Sequence, residues 1–416
     1  MDLNLASHRQ TRVNNTVQVD HPASIRPWVF STKVGPLVAA PTLGKVLDTL
    51  DHVASSLAPY GQVSYLLDLK APVEKGSPVQ LLTRLKLAPL EVTQPWKLHT
   101  VTGTDLSAFN LSGALRNKMG LGDTIDLRAS FQPAPYALSS GSVGVDLPIP
   151  LPFVYNSHFG VNLFFLNQQR EWASHGVESH GIGAYLRFPA VGAKVGVEAT
   201  ARQIHSLGDG SSDTVRSAAA NPATKVSAVA SIDTGLARIS AEHSGSPGDL
   251  TFTKIHASAS HVSNLFSPFV VELAGNAGYI HGKSSVLDNF LLGGPGSVYG
   301  FKLNRMGPKD GQDFIGAQSF YQSSASLTAP LPGMSKIPLR LVGTVNLAAG
   351  QLNAAKTVED NVNKLLNLSP SVASAVGLSY RHAAGSFDAL YLHPISVNPG
   401  DEAKQGFYLG VSLNLA

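Results

Sequence analysis

The sequence has 416 residues, a length that favours one large domain accompanied by a small one. Only 14% of the residues are charged, against about a quarter in a typical soluble protein, yet no run of about 18 consecutive apolar residues exists, which excludes a helical membrane span. A net charge of +3 with scattered basic residues leaves no footprint for nucleic acid, and the absence of cysteine excludes disulfides and thiolate metal sites.

The amino-terminal segment is polar, and residues 1–15 are expected to be disordered. Within it, Met1 to Arg12 contains no apolar core of the length found in secretory signal peptides. Because outer-membrane proteins of bacteria are exported with such a signal, this segment favours a location in an organelle of a eukaryote.

Residues 16–95 show the pattern of a small α+β domain. A first strand is predicted near Val17 to Val19, and an amphipathic helix follows Thr42, with apolar residues at helical spacing up to Leu57. Alternating residues from Val63 to Leu69 and from Val79 to Leu87 then predict two more strands. The predicted order is therefore strand, helical region, strand, strand.

Residues 96–416 alternate between apolar and polar positions throughout. Such rows occur at 125–131, 143–151, 182–188, 253–259, 271–277, 321–327, 339–347 and 407–415. A soluble β-sandwich would alternate in the same way, but its outer face would carry more charge than this chain has. The pattern favours a transmembrane β-barrel, and division into segments of roughly 20 residues allows about fourteen to eighteen strands.

One connection departs from the alternation. Apolar residues at Val362, Leu365 and Leu366 have helical spacing after Thr357. A short helix over 358–368 is therefore predicted in a loop outside the membrane.

A glycine-rich stretch, 291–301, has the sequence Leu-Leu-Gly-Gly-Pro-Gly-Ser-Val-Tyr-Gly-Phe and is followed by Met306-Gly307-Pro308. Its composition predicts neither helix nor strand, since glycine raises the entropy cost of order and proline lacks a backbone hydrogen-bond donor. The stretch resembles the signature of the barrel-assembly superfamily, in particular the central barrel of the mitochondrial sorting and assembly machinery. Its signature residues are Gly293, Gly294, Pro295, Ser297, Val298, Tyr299, Gly300 and Phe301.

The resemblance implies an all-β membrane protein with a sixteen-stranded antiparallel barrel at 96–416, preceded by one POTRA-like α+β domain at 16–95. It also implies that the signature loop folds into the barrel, where an arginine of the loop pairs with an acidic residue of the wall. This sequence has Tyr299 at the arginine position and Gln318 at the acidic position. Both charges are absent together, so a neutral hydrogen bond between Tyr299 and Gln318 is expected in their place.

A closed barrel must join its first strand, predicted within Trp96 to Gly103, to its last, predicted at Phe407 to Ala416. Glycines at this seam weaken pairing, so the seam is expected to act as a lateral gate. The gate residues are Gly103, Phe407, Tyr408, Leu409, Gly410, Leu413 and Leu415. The last strand also resembles a mitochondrial β-signal, through Tyr408, Gly410, Leu413 and Leu415.

The resemblance implies an insertase that receives β-barrel precursors and inserts them into the mitochondrial outer membrane, with the POTRA-like domain in the intermembrane space. It implies accessory subunits of the sorting and assembly machinery, and clients such as the import pore and porin. No enzymatic activity, cofactor or metal is expected. The alternatives are a passive porin-like channel, a plastid or bacterial relative in protein import or secretion, and a soluble β-sandwich.

Overall fold

The chain forms a small three-stranded sheet with two helices, a closed barrel, and a two-stranded hairpin inside one barrel connection. The computed structural model describes residues 9–20, 26–57, 60–70, 78–89, 96–103, 107–132, 137–151, 154–220, 223–245, 250–266, 268–295, 297–331, 333, 337–355, 357–382 and 384–415.

The amino-terminal unit has a sheet in the order β1-β3-β2, in which β1 runs parallel to β3 and β2 runs antiparallel to it. Its elements are β1 (Val13–Asp20), α1 (Pro27–Val38), α2 (Leu43–Leu57), β2 (Gly61–Lys70) and β3 (Val79–Pro89). Helix α2 buries Val46, Leu50 and Val53 at helical spacing against Leu81 and Leu85 of β3. The predicted order of strand, helical region, strand, strand is therefore confirmed.

The expected disorder of residues 1–15 is wrong for residues 9–15, because residues 9–12 are hydrogen bonded to the start of α2 and to β3, and β1 begins at Val13. Asn15 is buried and donates a hydrogen bond to the carbonyl of Leu37, 2.9 Å away. Periodicity missed this strand end because Asn14 and Asn15 look like loop residues. Residues 1–8 lie outside the described part of the chain.

The amino-terminal unit is bonded to one end of the barrel. The backbone amide of Arg26 donates to the carbonyl of Gly120 at 3.2 Å, and its side chain donates to the carbonyl of Met119 at 3.0 Å. Leu121 packs against the core of the unit. The turn between the second and third barrel strands therefore carries the unit.

The barrel is closed and has sixteen strands, all paired antiparallel, as predicted. They are β4 (Trp96–Gly103), β5 (Ser107–Arg116), β6 (Thr124–Gln132), β7 (Ala137–Leu151), β8 (Val154–Arg170), β9 (His175–Phe188), β10 (Ala193–His205), β11 (Ala223–Asp233), β12 (Ala237–Gly245), β13 (Thr251–Phe266), β14 (Phe269–Gly282), β17 (Ser319–Pro330), β18 (Leu339–Gln351), β19 (Ser371–His382), β20 (Gly385–Ser396) and β21 (Gly406–Leu415).

The alternation in sequence becomes an apolar outer belt. Val143, Leu163 and Ile182 are direct neighbours across β7, β8 and β9, and each is about half exposed, at 46%, 54% and 51%. Residues directly opposite in a ladder face the same side of the sheet. The outer face is therefore aliphatic, as a lipid-facing surface requires.

The larger connections lie at the end opposite the amino-terminal unit. They hold α3 (Asp213–Ala219), the hairpin of β15 (Lys309–Asp310) and β16 (Asp313–Phe314), and α4 (Val358–Leu366), which confirms the predicted helix. Among the described residues, no helix combines the length and apolar character needed to cross a bilayer.

Candidate functional site

The connection between β14 and β17, residues 283–318, folds back into the barrel, and we call it the inward loop. Its residues Leu292, Val298, Phe301 and Met306 are at most 2% exposed. They form one apolar cluster with inward-facing residues of β17, β18 and β19, namely Phe320, Ala348 and Ala373. The glycine-rich stretch is thus held against the inner wall, as the resemblance implied.

Two glycines allow this path. Gly294 has a φ of 92° and donates its amide to the carbonyl of Val298 at 3.1 Å, which closes a tight turn around Pro295. Gly300 has a φ of 84°, and a Cβ there would lie 2.6 Å from the Cβ of Ala373. The loop can therefore approach β19 only without a side chain at this position. Gly296 lies outside the described residues.

The wall residue that binds the loop is Gln322 of β17. Its amide nitrogen donates to the carbonyl of Ser297 at 2.6 Å, and its amide oxygen accepts from the Ser297 hydroxyl at 3.2 Å. The Ser297 hydroxyl also accepts from the amide of Gly293 at 3.4 Å. The Gln322 side chain therefore binds the turn through both its amide nitrogen and its amide oxygen.

The predicted bond between Tyr299 and Gln318 is wrong. Gln318 donates to the Ser284 hydroxyl at 3.3 Å and accepts from the amide of Asn353 at 2.9 Å, so both ends of its amide have other partners. Gln318 is the last residue of the inward loop, directly before β17, whereas Gln322 lies four residues further along, within β17. The wall partner was therefore assigned to the right strand face but to the wrong depth.

Tyr299 instead contacts the last strand of the barrel. Its ring centroid is 5.6 Å from that of Tyr408, with the rings at 61° in an edge-to-face arrangement. Tyr299 also packs against a cluster of inward-facing residues, Ala375, Leu390, Leu392 and Tyr408. The loop residue that replaces the arginine thus links the loop to one strand of the seam.

A carboxylate clamps the second half of the loop. Glu402, in the connection between β20 and β21, pairs with Arg305 at 2.9 Å, Lys302 at 3.1 Å and Lys309 at 3.5 Å. Backbone bonds add to this contact, because Lys302 donates to the carbonyl of Glu402 and Lys404 donates to that of Gly300. Partial burial opposes ionisation of Glu402, but the bonds from Lys302 and Arg305 outweigh it and lower its pKa.

A second carboxylate anchors the first half of the loop to the opposite part of the wall. Asp288 accepts two bonds from Arg202 of β10, at 2.7 and 3.1 Å, and pairs with Lys225 of β11 at 3.1 Å. Lys254 of β13 donates to the Asp288 carbonyl at 2.6 Å. Burial tends to raise the pKa of Asp288, yet the hydrogen bonds and charges of Arg202 and Lys225 hold it below its ordinary value.

Sequence reasoning missed Gln322, Asp288 and Glu402. The available signal was the recurrence of Arg202, Lys225 and Lys254 at inward-facing positions of nearby strands, where unpaired cations would be costly. Their partner comes from a loop many residues away, so its identity depends on the path of that loop.

The seam joins β21 to β4 in a closed, antiparallel ladder that runs from Tyr408 opposite Gly103 to Leu415 opposite Trp96. It contains eight residue pairs, whereas the ladder between β8 and β9 contains thirteen. Strand β4 is held by only seven pairs on its other side, against β5. The first barrel strand is therefore attached by short ladders on both edges.

The expected gate residues divide between the two faces of β21. Phe407, Leu409 and Leu413 face outward and are 70%, 43% and 44% exposed, while Tyr408 faces inward and is buried. Gly410 also faces inward, and a Cβ there would lie 2.8 Å from the hydroxyl of Tyr408. Gly410 therefore makes room for the tyrosine ring. Gly103 pairs with Tyr408 at one end of the seam ladder, and Leu415 pairs with Trp96 at the other end.

Several known proteins are similar to this chain in sequence. The Omp85 superfamily domain matches residues 117–414. A SAM50-like protein of Schizosaccharomyces pombe is 31% identical over 175 residues, 40% of this chain and 37% of that protein. The sorting and assembly machinery component 50 homolog of Mus musculus is 26% identical over 264 residues, 58% of this chain and 55% of that protein. The chain thus spans about half or less of the length of these curated relatives.

Solved structures share the fold. BamA from Haemophilus ducreyi lacking POTRA domains 1–3 superposes with a TM-score of 0.69 at 17% identity, over 97% of this chain and 84% of that one. CdiB from Acinetobacter baumannii gives a TM-score of 0.58 at 13% identity, over 97% and 74%. At these identities the likeness concerns the barrel architecture alone.

Proposed function

Since the chain belongs to the Omp85 superfamily, whose domain covers residues 117–414, we propose that it folds β-barrel precursors and inserts them through an opening between β21 and β4. The barrel is a protein of the mitochondrial outer membrane, with the amino-terminal unit on the intermembrane-space side. In this role the chain is an insertase that works without cofactor or nucleotide, and not an enzyme.

One observation carries the proposal: the inward loop is bonded to the last strand and to the segment that leads into it. Tyr299 contacts Tyr408 edge to face, and Glu402 binds three cations of the loop. A passive pore has no need of a loop fastened to one strand of its seam. A loop fastened to one seam strand, by contrast, can set the position of that strand.

The physical drive for insertion lies in the backbone. If the ladder of eight pairs between β21 and β4 opens, amide and carbonyl groups lose their partners in a region without water. Each unsatisfied group in hydrocarbon costs several kcal/mol, so an open edge favours pairing with the strand of a client. Short ladders on both sides of β4 lower the cost of the first opening.

The amino-terminal unit supplies edges for clients before they reach the barrel. Strands β1 and β2 are the two edges of its sheet, and β2 exposes Tyr65 and Leu66. An extended precursor can pair with such an edge through backbone bonds. By resemblance, the clients include the import pore and porin, and accessory subunits of the sorting and assembly machinery bind the barrel.

Locking the seam tests the proposal. Leu98 and Leu413 are direct partners across it, and such residues lie about 4.5 to 5.5 Å apart between Cα atoms, within the range of a disulfide. Because the chain has no cysteine, the double variant Leu98→Cys/Leu413→Cys forms a single defined crosslink. We expect newly imported porin to stall before insertion when this variant is oxidised, and to insert after reduction.

The matched control is Leu163→Cys/Ile182→Cys, which crosslinks β8 to β9 at an equivalent outward pair. It should leave porin insertion unchanged. Normal insertion with the oxidised seam would overturn the insertase mechanism. A large steady conductance, together with normal porin integration after depletion of the protein, would instead establish a passive channel.

A further inference from the structure

Helix α4 lies on the outside of the barrel wall. Asn361 of α4 donates to the hydroxyl of Tyr279 at 3.3 Å, and Tyr279 is the direct partner of Ile255, an outward residue that is 47% exposed. Just beyond the helix, the carbonyl of Leu368 accepts from the hydroxyl of Tyr321 at 3.0 Å. Tyr321 lies opposite Ala349 in the ladder between β17 and β18. The helix therefore covers the outer face of β14, β17 and β18 near one rim.

The helix has a buried side and a separate exposed apolar stripe. Asn361 and Leu365 are buried against the wall, at 3% and 7% exposure. Val358, Val362 and Leu366, spaced four residues apart, are 48%, 37% and 67% exposed. Residues with this spacing form one continuous stripe along a helix. The stripe is thus aliphatic and has no protein neighbour covering it among the described residues.

The angle between the stripe and the buried side of the helix follows from helix geometry. Successive residues turn by about 100°, which places the stripe about 80° away from the side that faces the wall. The remaining side of the helix carries only polar and charged residues, all exposed: Glu359, Asp360, Asn363 and Lys364. The helix therefore turns one side to the wall, a second side along the wall surface, and a third side to water.

The strands beneath the helix carry an apolar belt on the same outer face. Leu273, Leu327, Leu341 and Val345 are each between 46% and 50% exposed. This belt faces lipid, and the stripe on α4 is a second exposed aliphatic surface on the same outer face, nearer the rim. Its side chains are all aliphatic, with none of the Trp, Tyr or Arg residues that dominate protein interfaces.

We propose that α4 is an interfacial helix, with Val358, Val362 and Leu366 inserted between the headgroups and acyl chains of the leaflet opposite the amino-terminal unit. Amphipathic helices of this kind bury their apolar side about 5 to 10 Å deep while the charged side remains in water. The Thr357 hydroxyl accepts from the amide of Asp360 at 3.1 Å and caps the first turn. The wall contacts and this cap hold the helix ready, so insertion needs no folding step.

Single-cysteine reporters on the full chain test the proposal, since the protein has no cysteine of its own. Val362→Cys and Asn363→Cys are adjacent in sequence but on different sides of the helix. Each is labelled with an environment-sensitive fluorophore and reconstituted into vesicles of phosphatidylcholine and phosphatidylethanolamine. A third reporter, Leu327→Cys, lies on the lipid-facing belt and verifies that the barrel has inserted.

We expect the label at 362 to show blue-shifted emission, quenching by bromine near the top of the acyl chains, and loss of quenching by aqueous iodide. The label at 363 should be quenched by iodide, and that at 327 by deeper bromines. Equal iodide quenching at 362 and 363 in vesicles with a shielded 327 would overturn the proposal. Shielding of 362 that appears only after accessory subunits are added would also overturn it, and would assign the stripe to a protein partner.

Discussion

The inward loop is anchored by one carboxylate at each end, and the two anchors differ in their surroundings. The Asp288 side chain is 2% exposed and pairs with the Arg202 side chain, which is 7% exposed. Arg202 belongs to β10, a strand remote from the seam. The Glu402 side chain is 29% exposed, binds cations that are 26% to 43% exposed, and lies in the connection that leads into β21. The same type of interaction is thus used in two dielectric environments.

This difference gives the two ends different resistance to change. Removing one partner from a buried ion pair leaves an uncompensated charge and costs several kcal/mol, whereas a half-exposed pair is screened by water and contributes little. The first half of the loop is therefore fixed to a stable wall, and the second half can yield. Because the second half of the loop contacts β21, it can move when the seam opens. The first half of the loop then stays bound to the wall.

Removal of Asp288 should have the largest effect. The variant Asp288→Ala leaves Arg202 buried without its bidentate partner, so we expect a loss of about 3 to 5 kcal/mol in the free energy of unfolding. Denaturant unfolding of the reconstituted barrel measures it. Asp288→Asn, which preserves side-chain volume, should lose nearly as much. A loss below about 1 kcal/mol in both variants would remove the distinction between the two ends.

Truncation of Tyr299 should have an intermediate effect at the other end. Tyr299→Ala removes the ring that contacts Tyr408 edge to face and leaves a cavity beside Leu390 and Leu392, which should cost about 2 to 3 kcal/mol. We also expect faster amide hydrogen exchange in β21, with no change in β9. Tyr299→Phe keeps the ring and should behave like the native protein. Equal acceleration in both variants would contradict the role given to the ring.

Neutralisation of Glu402 should have the smallest effect. Glu402→Gln should lose about 1 kcal/mol or less at neutral pH, and still less at high salt. Because the folded protein lowers the pKa of Glu402, its contribution is complete above the ordinary value of 4.5 and is lost as the pH falls through the folded-state pKa. The native protein and the variant should therefore have equal unfolding free energies in acid. A difference that persists there would assign the effect to packing.

The barrel and its strands could be predicted because their signal is local. A strand that faces lipid on one side must alternate between apolar and polar residues. The rows at 125–131 and 182–188 show this alternation within a few residues. The helix at 358–366 and the turn around Gly294 were likewise visible from helical spacing and glycine. The inward path of the loop came from family resemblance, since composition alone would also fit a surface loop.

The partners of the loop could not be predicted in this way. Tyr299 was assigned to Gln318 because the two positions correspond to a pair in related proteins, yet Tyr299 reaches Tyr408 and Gln322 holds the loop. Which inward-facing side chain meets the loop depends on the stagger of the strands and on the depth to which the loop descends. The alternation of apolar and polar residues determines neither the stagger nor the depth.

By itself, the sequence determined the membrane barrel, the order of the small amino-terminal fold, the short helix and the presence of a shaped glycine loop, because each rests on a period or turn that neighbouring residues define. Tertiary structure alone decided that Asp288 binds Arg202, that Glu402 joins the loop to the seam segment, and that α4 lies outside the wall. Those contacts connect residues from 47 to 100 positions apart, and closure of the barrel is what brings them together.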